Sequence, residues 1–575
     1  MSNGRVTLVL GRMPLKADPA LFRAAGPWCF AEQEEFFPDW DKTFTFAPEP
    51  LVDFDLQLRA CREVKALCAD ILPHIADRLC PHARTLPAAY WETLLTPWAM
   101  NVAKQVVERW WRVKAMVQSW GQEPLHVPLL PRNCSLTFAT GPDFVLHGAL
   151  GHSYNHWLFS RLLEEVFPAA WSMEYLPAVQ KSYGEQESLS GKEKLREVLR
   201  NLMLRLPCPR LKGMSIGQSL RFSLALLHRS KGPDRSRPQV EYSSAVTGIA
   251  ADFPDNFART LVTLFMASLP QLLANQVHPA RLTPDPLGPR LRVASVMAYE
   301  DADYRQSLAR WRGRGNRLMY VQHGSDYGQV RCVSDVEMVE YSQHAFGTWG
   351  WKEHQGSAGN FVPLPYPQLD GLEGRWQGQQ GENLLFVGTE MPAFPYRLDA
   401  HPSPLQVVEY RKDKGRFFAA LGRDVQACSL YRPYFPVPGS LRDADWVLER
   451  FPLVRMATGM LSKHLYACRL LVLDHNGTTL LESLVANIPM VLFWRREAWA
   501  LTSDATALLD MLAQAGIWHE TPQKAAAKAA EVWKDPLAWW MSDKVQQARR
   551  AYCAQQALTV QGGPNPYWLK MLKSL

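Results

Sequence analysis

Two histidines in this chain stand directly after apolar runs, in segments whose residue types suit group-transfer chemistry. The first segment, Asp474-His-Asn-Gly-Thr-Thr-Leu-Leu-Glu482, follows the apolar run 469–473. Thr478 and Thr479 open a helical pattern, and hydroxyls and free N–H groups at a helix start suit a phosphate because the helix dipole is positive there. His475 then stands where it can donate a charged hydrogen bond to a phosphate, or protonate a leaving phosphate.

The same segment and a second apolar run provide further candidates for holding a nucleotide. We predict that Asn476 and Gly477 complete the phosphate-binding turn, and that Glu482, one helical turn further on, reaches a ribose. Arg432 follows another short apolar run, and its fork of donors pairs well with phosphate. A solvated surface arginine fits that pattern equally. For His475 the alternative is a helix-entry residue that only satisfies the local backbone.

The second segment, Tyr-Val-Gln-His-Gly-Ser-Asp-Tyr-Gly, ends at Gly328. A predicted strand stops at Gln322, so His323 and Gly324 turn the chain where open α/β sheets bind ligands. Because histidine titrates near neutrality, His323 is our candidate for the general base on an acceptor hydroxyl, with Asp326 as the substitute base. We expect Gly324 and Gly328 to let a ligand approach the backbone, and Gln322 and Gly324 to lie on the acceptor side. The alternative is a histidine that only caps the turn.

A cluster of histidines provides candidates for the acceptor site. His152 and His156 are four residues apart in a helical pattern, close to His147. No acidic third ligand stands at a suitable spacing, so we predict an acceptor role for His152 and His156, no metal site and no cofactor. The pair Asp301 and Asp303 fits an Asp-x-Asp metal motif. It stands before a predicted helix, where an acidic cap is the favoured interpretation and a metal role the alternative.

Composition and charge limit the class of protein. The 575 residues exceed what one hydrophobic core supports, and 47% apolar with 21% charged residues is typical of a folded chain. The formal charge of +7 fits an acidic ligand. The scattered basic residues match no finger, basic zipper or RNA-binding signature, so we predict no nucleic-acid partner. Ten cysteines without a C-x-x-C pair predict reduced thiols.

Hydropathy bears on location. The chain starts without a signal-peptide pattern and has no run of about 18 apolar residues, so we predict a cytoplasmic protein. The C-terminal segment Tyr567–Leu575 carries lysines and aromatic residues. It permits loose peripheral attachment to the anionic inner face of a membrane, and an ordinary packed terminal helix is the favoured alternative.

The order of apolar runs and helical patterns predicts an α/β protein in two halves. Strand patterns occur at 7–10, 291–297, 317–322, 383–388, 428–431, 469–473 and 490–494, and helical patterns at 51–82, 88–120, 156–165, 255–273, 304–312, 405–422, 478–487, 524–533 and 539–556. Composition changes most at the Gly/Gln-rich stretch 370–381. We predict a Rossmann-like acceptor-side domain with helical insertions at 1–375, a Rossmann-like nucleotide domain at 376–550, and a helix at 551–575 packing back on the first domain. Two facing Rossmann-like domains with a cleft between them form the GT-B architecture.

These segments also carry a resemblance to a known family. The chain resembles a family of bacterial transferases encoded among surface-polysaccharide genes, through Gly26–Cys29, Tyr90–Trp98, Val321–Gly328, Thr348–Trp351 and Asp474–Glu482. Its C-terminal half is similar to CDP-glycerol glycerophosphotransferases, Kdo transferases and some bacterial sialyltransferases. In those enzymes a His followed by Ser or Thr at the cleft holds the phosphate of a cytidine nucleotide.

The resemblance implies that phosphate-binding role for His475, Thr478 and Thr479. Two positions depart from the pattern: Asn476 stands where many of those enzymes have a proline after the histidine, and Ser325 stands where a second glycine is usual.

The residues and the resemblance together predict a metal-independent GT-B glycosyltransferase of cell-envelope polysaccharide biosynthesis. Its donor would be a nucleotide-activated sugar, with a CMP-linked nonulosonic or Kdo-like acid favoured. Its acceptor would be a hydroxyl of a cell-surface glycan, a lipid-linked glycan or a protein. Two alternatives stay open: a CDP-linked polyol-phosphate transferase, and a non-catalytic nucleotide-sugar-binding component of a polysaccharide assembly. Helix dipole and side chains, rather than a metal, would neutralise the leaving phosphate.

Overall fold

The computed structural model describes residues 5–80, 83–184, 191–227, 253, 257–277, 291–395, 397–398, 402–434 and 439–575. The strands of these residues are β1 (Val6–Val9), β2 (Phe22–Ala24), β3 (Thr45–Phe46), β4 (Leu125–Leu129), β5 (Ser135–Phe138), β6 (Ser172–Tyr175), β7 (Gln180–Tyr183), β8 (Leu291–Ala294), β9 (Arg317–Val321), β10 (Ala345–Thr348), β11 (Phe361–Pro363), β12 (Leu384–Val387), β13 (Ser429–Arg432), β14 (Arg455–Met456), β15 (Leu470–Leu473), β16 (Met490–Phe493) and β17 (Trp518–His519).

The helices of the described residues are α1 (Trp40–Thr43), α2 (Phe54–Leu79), α3 (Ala88–Trp120), α4 (Gly141–Asp143), α5 (His152–Glu164), α6 (Gly191–Leu204), α7 (Ile216–Leu227), α8 (Ala258–Ala267), α9 (Gln271–Gln276), α10 (Met297–Glu300), α11 (Ala302–Gly313), α12 (Ser334–Val336), α13 (Pro404–Ala420), α14 (Arg423–Ala427), α15 (Asp443–Arg450), α16 (Leu461–Leu465), α17 (Thr478–Val485), α18 (Ser503–Gln514), α19 (Pro522–Val532), α20 (Pro536–Trp540), α21 (Asp543–Gln556) and α22 (Asn565–Ser574). Phe144–Ala149 and Glu337–Tyr341 form π-helical turns.

The strands form three larger parallel sheets and one parallel pair. The first sheet has the order β3-β2-β1-β4-β6, the second β11-β10-β9-β8, and the third β14-β13-β12-β15-β16-β17, while β5 pairs with β7. The central strands β9, β12, β15 and β16 are buried almost throughout. This burial explains their continuous apolar sequences, because a parallel strand is covered on both faces.

The long helix α3 contacts helices that lie beside the first sheet and beside the second. It packs against α2, α5 and α11 and is buried along most of its length, including the charged residues Glu108, Arg109 and Arg112. The two oxygens of Glu108 lie 2.5 Å from Arg109 and 2.6 Å from Arg112, so these buried charges are paired. Arg109 also donates to the carbonyl of Pro395 at 2.9 Å, which ties α3 to the loop that follows β12.

The second and third sheets share one hydrophobic core. Met319 and Tyr320 of β9, and Leu471 and Leu473 of β15, belong to the same buried cluster. Ser325, just beyond β9, donates a hydrogen bond to the carbonyl of Asn476, just beyond β15, at 3.1 Å. The carboxyl ends of the two sheets therefore meet.

The predicted α/β class and the GT-B arrangement of parallel sheets meeting at their carboxyl ends are confirmed. The N-terminal half differs in detail, because it contains two separate parallel sheets where one Rossmann-like sheet was expected. Several strands of the first sheet escaped prediction: β2 and β3 have only three and two residues, and β6 is largely exposed. The domain limits at 375 and 550 stay a prediction.

The C-terminal helix α22 is a packed element of the fold. It packs against α7, and the buried Trp568 stacks on Phe222 and donates to the carbonyl of Pro365 at 2.9 Å. The packed-helix alternative for the segment Tyr567–Leu575 is therefore what the structure shows. Among the described residues no helix is both long and apolar enough to cross a membrane.

Candidate active site

The loop after β15 holds His475 against a buried carboxylate. His475 Nδ1 lies 2.9 Å from Oδ1 of Asp474, which is 1% exposed. The same oxygen accepts the backbone N–H of Thr389, from the loop after β12, at 2.9 Å. With Nδ1–H donated to Asp474, the other ring nitrogen, Nε2, is the atom of His475 that can exchange a proton with a ligand.

A buried lysine holds Asp474 in place. Lys414 Nζ lies 3.4 Å from Oδ2 of Asp474 and donates to Asp443 and to the carbonyl of Thr389, both at 2.6 Å. Burial alone would lower the pKa of Lys414, but Asp443 and Asp474 outweigh it and raise that pKa above its ordinary value. Lys414 is therefore a fixed positive charge behind the His475 loop. Arg411 extends the network, donating to Asp443 at 2.9 Å.

The helix that follows His475 presents two available hydroxyls. Gly477 is the N-cap of α17 and gives no side-chain cap, and Thr478 and Thr479 are the first helical residues. Both threonines are half-buried, and neither hydroxyl has a hydrogen-bond partner among the described residues. A Cβ added at Gly477 would lie 2.6 Å from Nε2 of His475, so only glycine leaves the imidazole in this position. Hydroxyls, helix-start N–H groups and an imidazole thus converge where a phosphate could bind.

The loop after β9 is held rigidly behind His323. Gln322 is fully buried; its amide donates to the carbonyl of Gly324 at 2.8 Å, and its oxygen accepts from Trp349 N and Trp351 Nε1. These contacts give Gln322 a positioning role in place of the predicted acceptor contact. Gly328 has a left-handed φ of 73°, and a Cβ there would lie 2.6 Å from the Trp351 ring. The group that lies close to Gly328 is therefore the Trp351 indole, where we had expected a ligand to approach the backbone.

His323 is paired with a buried glutamate through a tyrosine. Glu340 accepts hydrogen bonds from Tyr299 at 2.8 Å and from Tyr327 at 3.1 Å, and Tyr327 contacts Nε2 of His323. Burial and the Glu340 carboxylate raise the pKa of Tyr327 well above its ordinary value, so its hydroxyl stays protonated and donates to Glu340. The tyrosine oxygen then accepts from Nε2–H of His323. Nδ1, with no hydrogen-bond partner among the described residues, is left to accept a proton.

The two histidine loops are in direct contact. Besides the Ser325–Asn476 bond, Asn476 donates to Gln329 at 3.0 Å, and that glutamine oxygen also accepts from Tyr552 at 2.7 Å. Asn476 is buried, so these contacts give it a role in joining the loops in place of the predicted nucleotide contact. A Cβ added at Gly324 would lie 3.9 Å from Oγ1 of Thr478, an ordinary van der Waals contact, so the His323 turn lies close to the start of α17. Asp326 is half-buried beside Ser325 and remains the predicted substitute base.

The predicted acceptor histidines lie at the first sheet and have different surroundings. His156 Nε2 donates to the carbonyl of Pro128 at 2.9 Å, so this ring is held as a structural element. Both ring nitrogens of His152 are buried without a hydrogen bond, and its ring meets Phe394 edge-on at 5.1 Å between centroids. Burial lowers the pKa of His152 to about 3, so it is neutral at physiological pH. Phe394 belongs to the same loop as Thr389, which contacts Asp474.

The remaining predicted residues lie around this region. Arg432 ends β13 and donates one hydrogen bond to the carbonyl of Ala457 at 3.0 Å. Glu482 is contacted by Gln368, and Lys212 Nζ lies 4.0 Å away, so a ribose would have to displace a protein partner.

The Asp-x-Asp pair serves structure. Asp301 caps α11 through the N–H of Tyr304 at 2.8 Å and pairs with Arg200 at 2.7 Å. Asp303 accepts from Gln276 at 3.0 Å. The preferred interpretation of an acidic helix cap is therefore confirmed for Asp301. Among the described residues no group of three or more His, Cys, Asp or Glu side chains could hold a metal ion.

Sequence reasoning missed the residues that hold the two histidines. Asp474 precedes His475 at the strand end, and this adjacency was a usable signal. Tyr327, four residues after His323, lies within the segment that ends at Gly328, but its role was not predicted. Lys414 and Glu340 gave no signal, because Lys414 lies within a helical pattern far from His475, and Glu340 lies in a π-helical turn. Such turns are frequent at functional sites, but their sequences do not reveal them.

A family model matches almost the whole chain, over residues 6–572, and its description is LIC12162 family transferase. The chain belongs to the LIC12162 family of transferases. The prediction of a transferase is thereby confirmed. No curated protein matches the chain.

Solved structures give distant similarities. MurG of Acinetobacter baumannii is 10% identical over 47% of this chain and 70% of its own, with a TM-score of 0.27. TcCGT1 in complex with UDP is 13% identical over 78% of this chain and 98% of its own, with a TM-score of 0.29. UGT2 of Phytolacca americana, complexed with UDP-2fluoro-glucose and pterostilbene, is 11% identical over 78% of this chain and 92% of its own, with a TM-score of 0.24.

Proposed function

We propose that this transferase is a GT-B glycosyltransferase that moves a sugar from a nucleotide-activated donor to a hydroxyl acceptor. The observation that carries the proposal is the contact between two histidine loops from facing sheets, made by Ser325 and Asn476. Each loop follows the carboxyl end of a buried parallel strand, where α/β sheets bind ligands. Two proton-exchanging groups on loops that touch each other suit a transfer between two bound substrates.

On the donor side, we assign the leaving phosphate to the start of α17. Thr478 and Thr479 provide hydroxyls, and the helix N-terminus provides N–H groups and a positive dipole end. His475, oriented by Asp474, would donate Nε2–H to the phosphate as the bond to the sugar breaks. Arg432 is the further candidate for a phosphate contact, at the end of β13, two strands from β15 in the third sheet.

On the acceptor side, we assign the general base to His323. Its Nδ1 would take the proton of the attacking hydroxyl while Nε2 stays bound to Tyr327. Glu340, 3.7 Å from Nε2, would stabilise the imidazolium that forms. Neutral His152 is the candidate for a second contact with the acceptor, which would first have to uncover its ring nitrogens, because both are buried without a hydrogen-bond partner among the described residues.

We also propose that transfer needs no bound metal and takes place in the cytoplasm. Asp301 and Asp303, which match a metal motif, already have helix-capping, ionic and amide partners. The charge of the leaving phosphate would be neutralised by the α17 terminus and His475. All ten cysteines are free thiols, which fits a reducing compartment.

For the donor we favour a CMP-linked nonulosonic or Kdo-like acid, and for the acceptor a cell-surface glycan, free or lipid-linked, or a protein. The support is the resemblance of His475, Thr478 and Thr479 to cytidine-nucleotide enzymes. A CDP-linked polyol phosphate would use the same phosphate contacts and is the second candidate.

A thermal-shift screen of CMP, CDP, UDP, GDP and their sugars tests the proposal. A ligand at about 100 times its dissociation constant stabilises the fold by about 2.7 kcal/mol, which raises the melting temperature measurably. We expect CMP and a CMP-sugar to stabilise most, and the matching sugar to be transferred to a glycan acceptor. Stabilisation by none of the nucleotides contradicts the proposal. Binding without transfer by the wild-type protein, with a panel of glycan acceptors, favours a non-catalytic component.

A further inference from the structure

Two consecutive helices of the N-terminal half carry apolar residues on their exposed surface. On α6 the exposed residues are Leu195, Val198, Leu199 and Leu202, each between 54% and 62% exposed. On α7 they are Ile216, Leu220, Leu224 and Leu227, between 45% and 55% exposed. Exposed apolar residues scattered singly are ordinary, but a contiguous group marks an interaction surface.

The spacing shows that each group lies on one face of its helix. The α6 residues follow the pattern i, i+3, i+4, i+7, and those of α7 follow i, i+4, i+8, i+11. The opposite face of α7 is in the core, where Phe222 stacks on Trp568. The exposed faces of these two consecutive helices, together called the α6–α7 surface, are thus apolar and lie outside the core of the described residues.

The same segment carries most of the net charge of the protein. Residues 191–227 contain eight Lys or Arg and two Glu, a net charge of +6, whereas the whole chain has +7. The other 538 residues are therefore almost neutral. Lys192, Arg196 and Arg205 are exposed beside the apolar residues of α6. Apolar residues flanked by lysine and arginine are typical of helices that lie in the surface of an anionic membrane.

The α6–α7 surface is connected to the candidate active site. The turn before α7 packs on Gln368, since a Cβ at Gly213 would lie 2.4 Å from the Cα of that residue. Gln368 in turn contacts Glu482 of α17, and Lys212 Nζ lies 4.0 Å from the same carboxylate. The turn between α6 and α7 therefore lies next to the helix assigned to the donor.

We infer that the α6–α7 surface docks the protein on an anionic lipid bilayer. The leucines of both helices enter the boundary between headgroups and acyl chains, and the basic residues contact lipid phosphates. The charge excess selects a membrane over a second copy of this chain, because two copies would bring together two segments 191–227, each with a net charge of +6. The exposed leucines select it over a nucleic acid, whose backbone offers them no apolar contact. The inference is independent of the proposed function, since docking needs no substrate.

Flotation with phosphatidylglycerol-containing vesicles tests the inference on the full-length chain. We expect binding at low salt, weaker binding at high salt, and little binding to pure phosphatidylcholine. The triple variant Leu195→Gln/Leu199→Gln/Leu202→Gln should lose at least about tenfold in vesicle affinity, because three apolar side chains no longer enter the bilayer. Leu15→Gln/Val52→Gln/Met460→Gln, at positions 58% to 62% exposed elsewhere, should bind as wild type.

A charge variant tests the same inference if the leucine variant folds poorly. Lys192→Glu/Arg196→Glu should lower vesicle affinity by at least about thirtyfold at low salt, at roughly 1 kcal/mol for each basic residue lost. Lys524→Glu/Lys544→Glu, with the same charge change at exposed positions in the C-terminal half, should have a much smaller effect. Absence of wild-type binding to the anionic vesicles overturns the inference. So does a dimer that the leucine variant dissociates without any change in vesicle affinity, or RNA binding that the leucine variant retains in place of vesicle binding.

Discussion

His475 and Asp474, adjacent in the chain, form a 2.9 Å hydrogen bond just beyond the end of β15. Within a strand neighbouring side chains point to opposite faces, so this pairing is possible only because the chain has left the strand at Leu473. Asp474 is in turn held by the N–H of Thr389 and by Lys414. The orientation of His475 therefore depends on the loop after β15, the loop after β12 and helix α13.

We expect Asp474→Asn to lower turnover by about 10²-fold or more. The asparagine amide has no negative charge, so it holds Nδ1–H of His475 less firmly and does not stabilise the imidazolium. The asparagine keeps the shape of the loop, so the melting temperature should fall less than for Asp474→Ala, which leaves Lys414 with fewer partners. Steady-state kinetics and thermal unfolding of both variants check this. Unchanged turnover in a folded Asp474→Asn protein would show that the pair is only structural.

Gly477→Ala tests the position of the His475 ring without removing it. The added Cβ would lie 2.6 Å from Nε2, so the imidazole must move away from Asp474 or from the cleft. Because only a side chain must shift, we expect a folded protein with donor affinity and turnover both reduced by about tenfold or more. Gly217→Ala on α7, where the nearest atom is 3.9 Å away, is the matched control and should have wild-type kinetics.

The threonine pair at the start of α17 should govern nucleotide affinity. Replacing Thr478 and Thr479 together by valine removes both hydroxyls at nearly constant volume. We expect the dissociation constant of the nucleotide to rise about tenfold or more, at roughly 1 kcal/mol for each hydrogen bond lost and more where the acceptor is charged. Calorimetry on the folded variant decides; an unchanged constant means that the phosphate binds elsewhere.

His323 should control turnover rather than donor binding. General bases contribute about 10² to 10⁴-fold in rate, so His323→Ala should lower turnover by that order with donor affinity almost unchanged. Glu340→Gln, which keeps the hydrogen-bonding shape but removes the charge behind His323, should give a smaller loss. Equal turnover in wild-type and His323→Ala proteins would show that His323 is not the base. Asp326 would then be the candidate general base, and Asp326→Asn would test it.

The sequence predicted the long helices α2 and α3 and the two strands that precede His323 and His475, because those elements have strong apolar patterns. The α2 and α3 regions follow helical spacing over many turns, and β9 and β15 are continuous apolar runs. Several other strands were missed. For example, β6 reads Ser-Met-Glu-Tyr and is largely exposed, so neither alternation nor an apolar run identifies it.

The sequence predicted the two histidines of the candidate site but not the residues that orient them. Position after a strand pointed to His323 and His475, since ligands bind at that edge of a parallel sheet. The partners that orient them come from distant parts of the chain: Glu340 from a π-helical turn, and Lys414 from α13. These groups come together only when whole helices and strands pack, so their contacts cannot be predicted from local sequence spacing.

The titration of His152 gives a prediction about stability and pH. Burial lowers its pKa from 6.5 to about 3, so between these values the unfolded chain binds a proton that the folded chain excludes. Stability is thus lost as pH falls below about 6.5, by about 1 to 2 kcal/mol at about pH 5 for this one residue. His152→Gln removes the titration, so urea unfolding at about pH 7.5 and pH 5 should show a smaller acid-induced loss for the variant than for wild type. His156 and the other groups titrate in both proteins, so their effects cancel in the difference. Equal losses in the two proteins would mean that folding does not lower the pKa of His152.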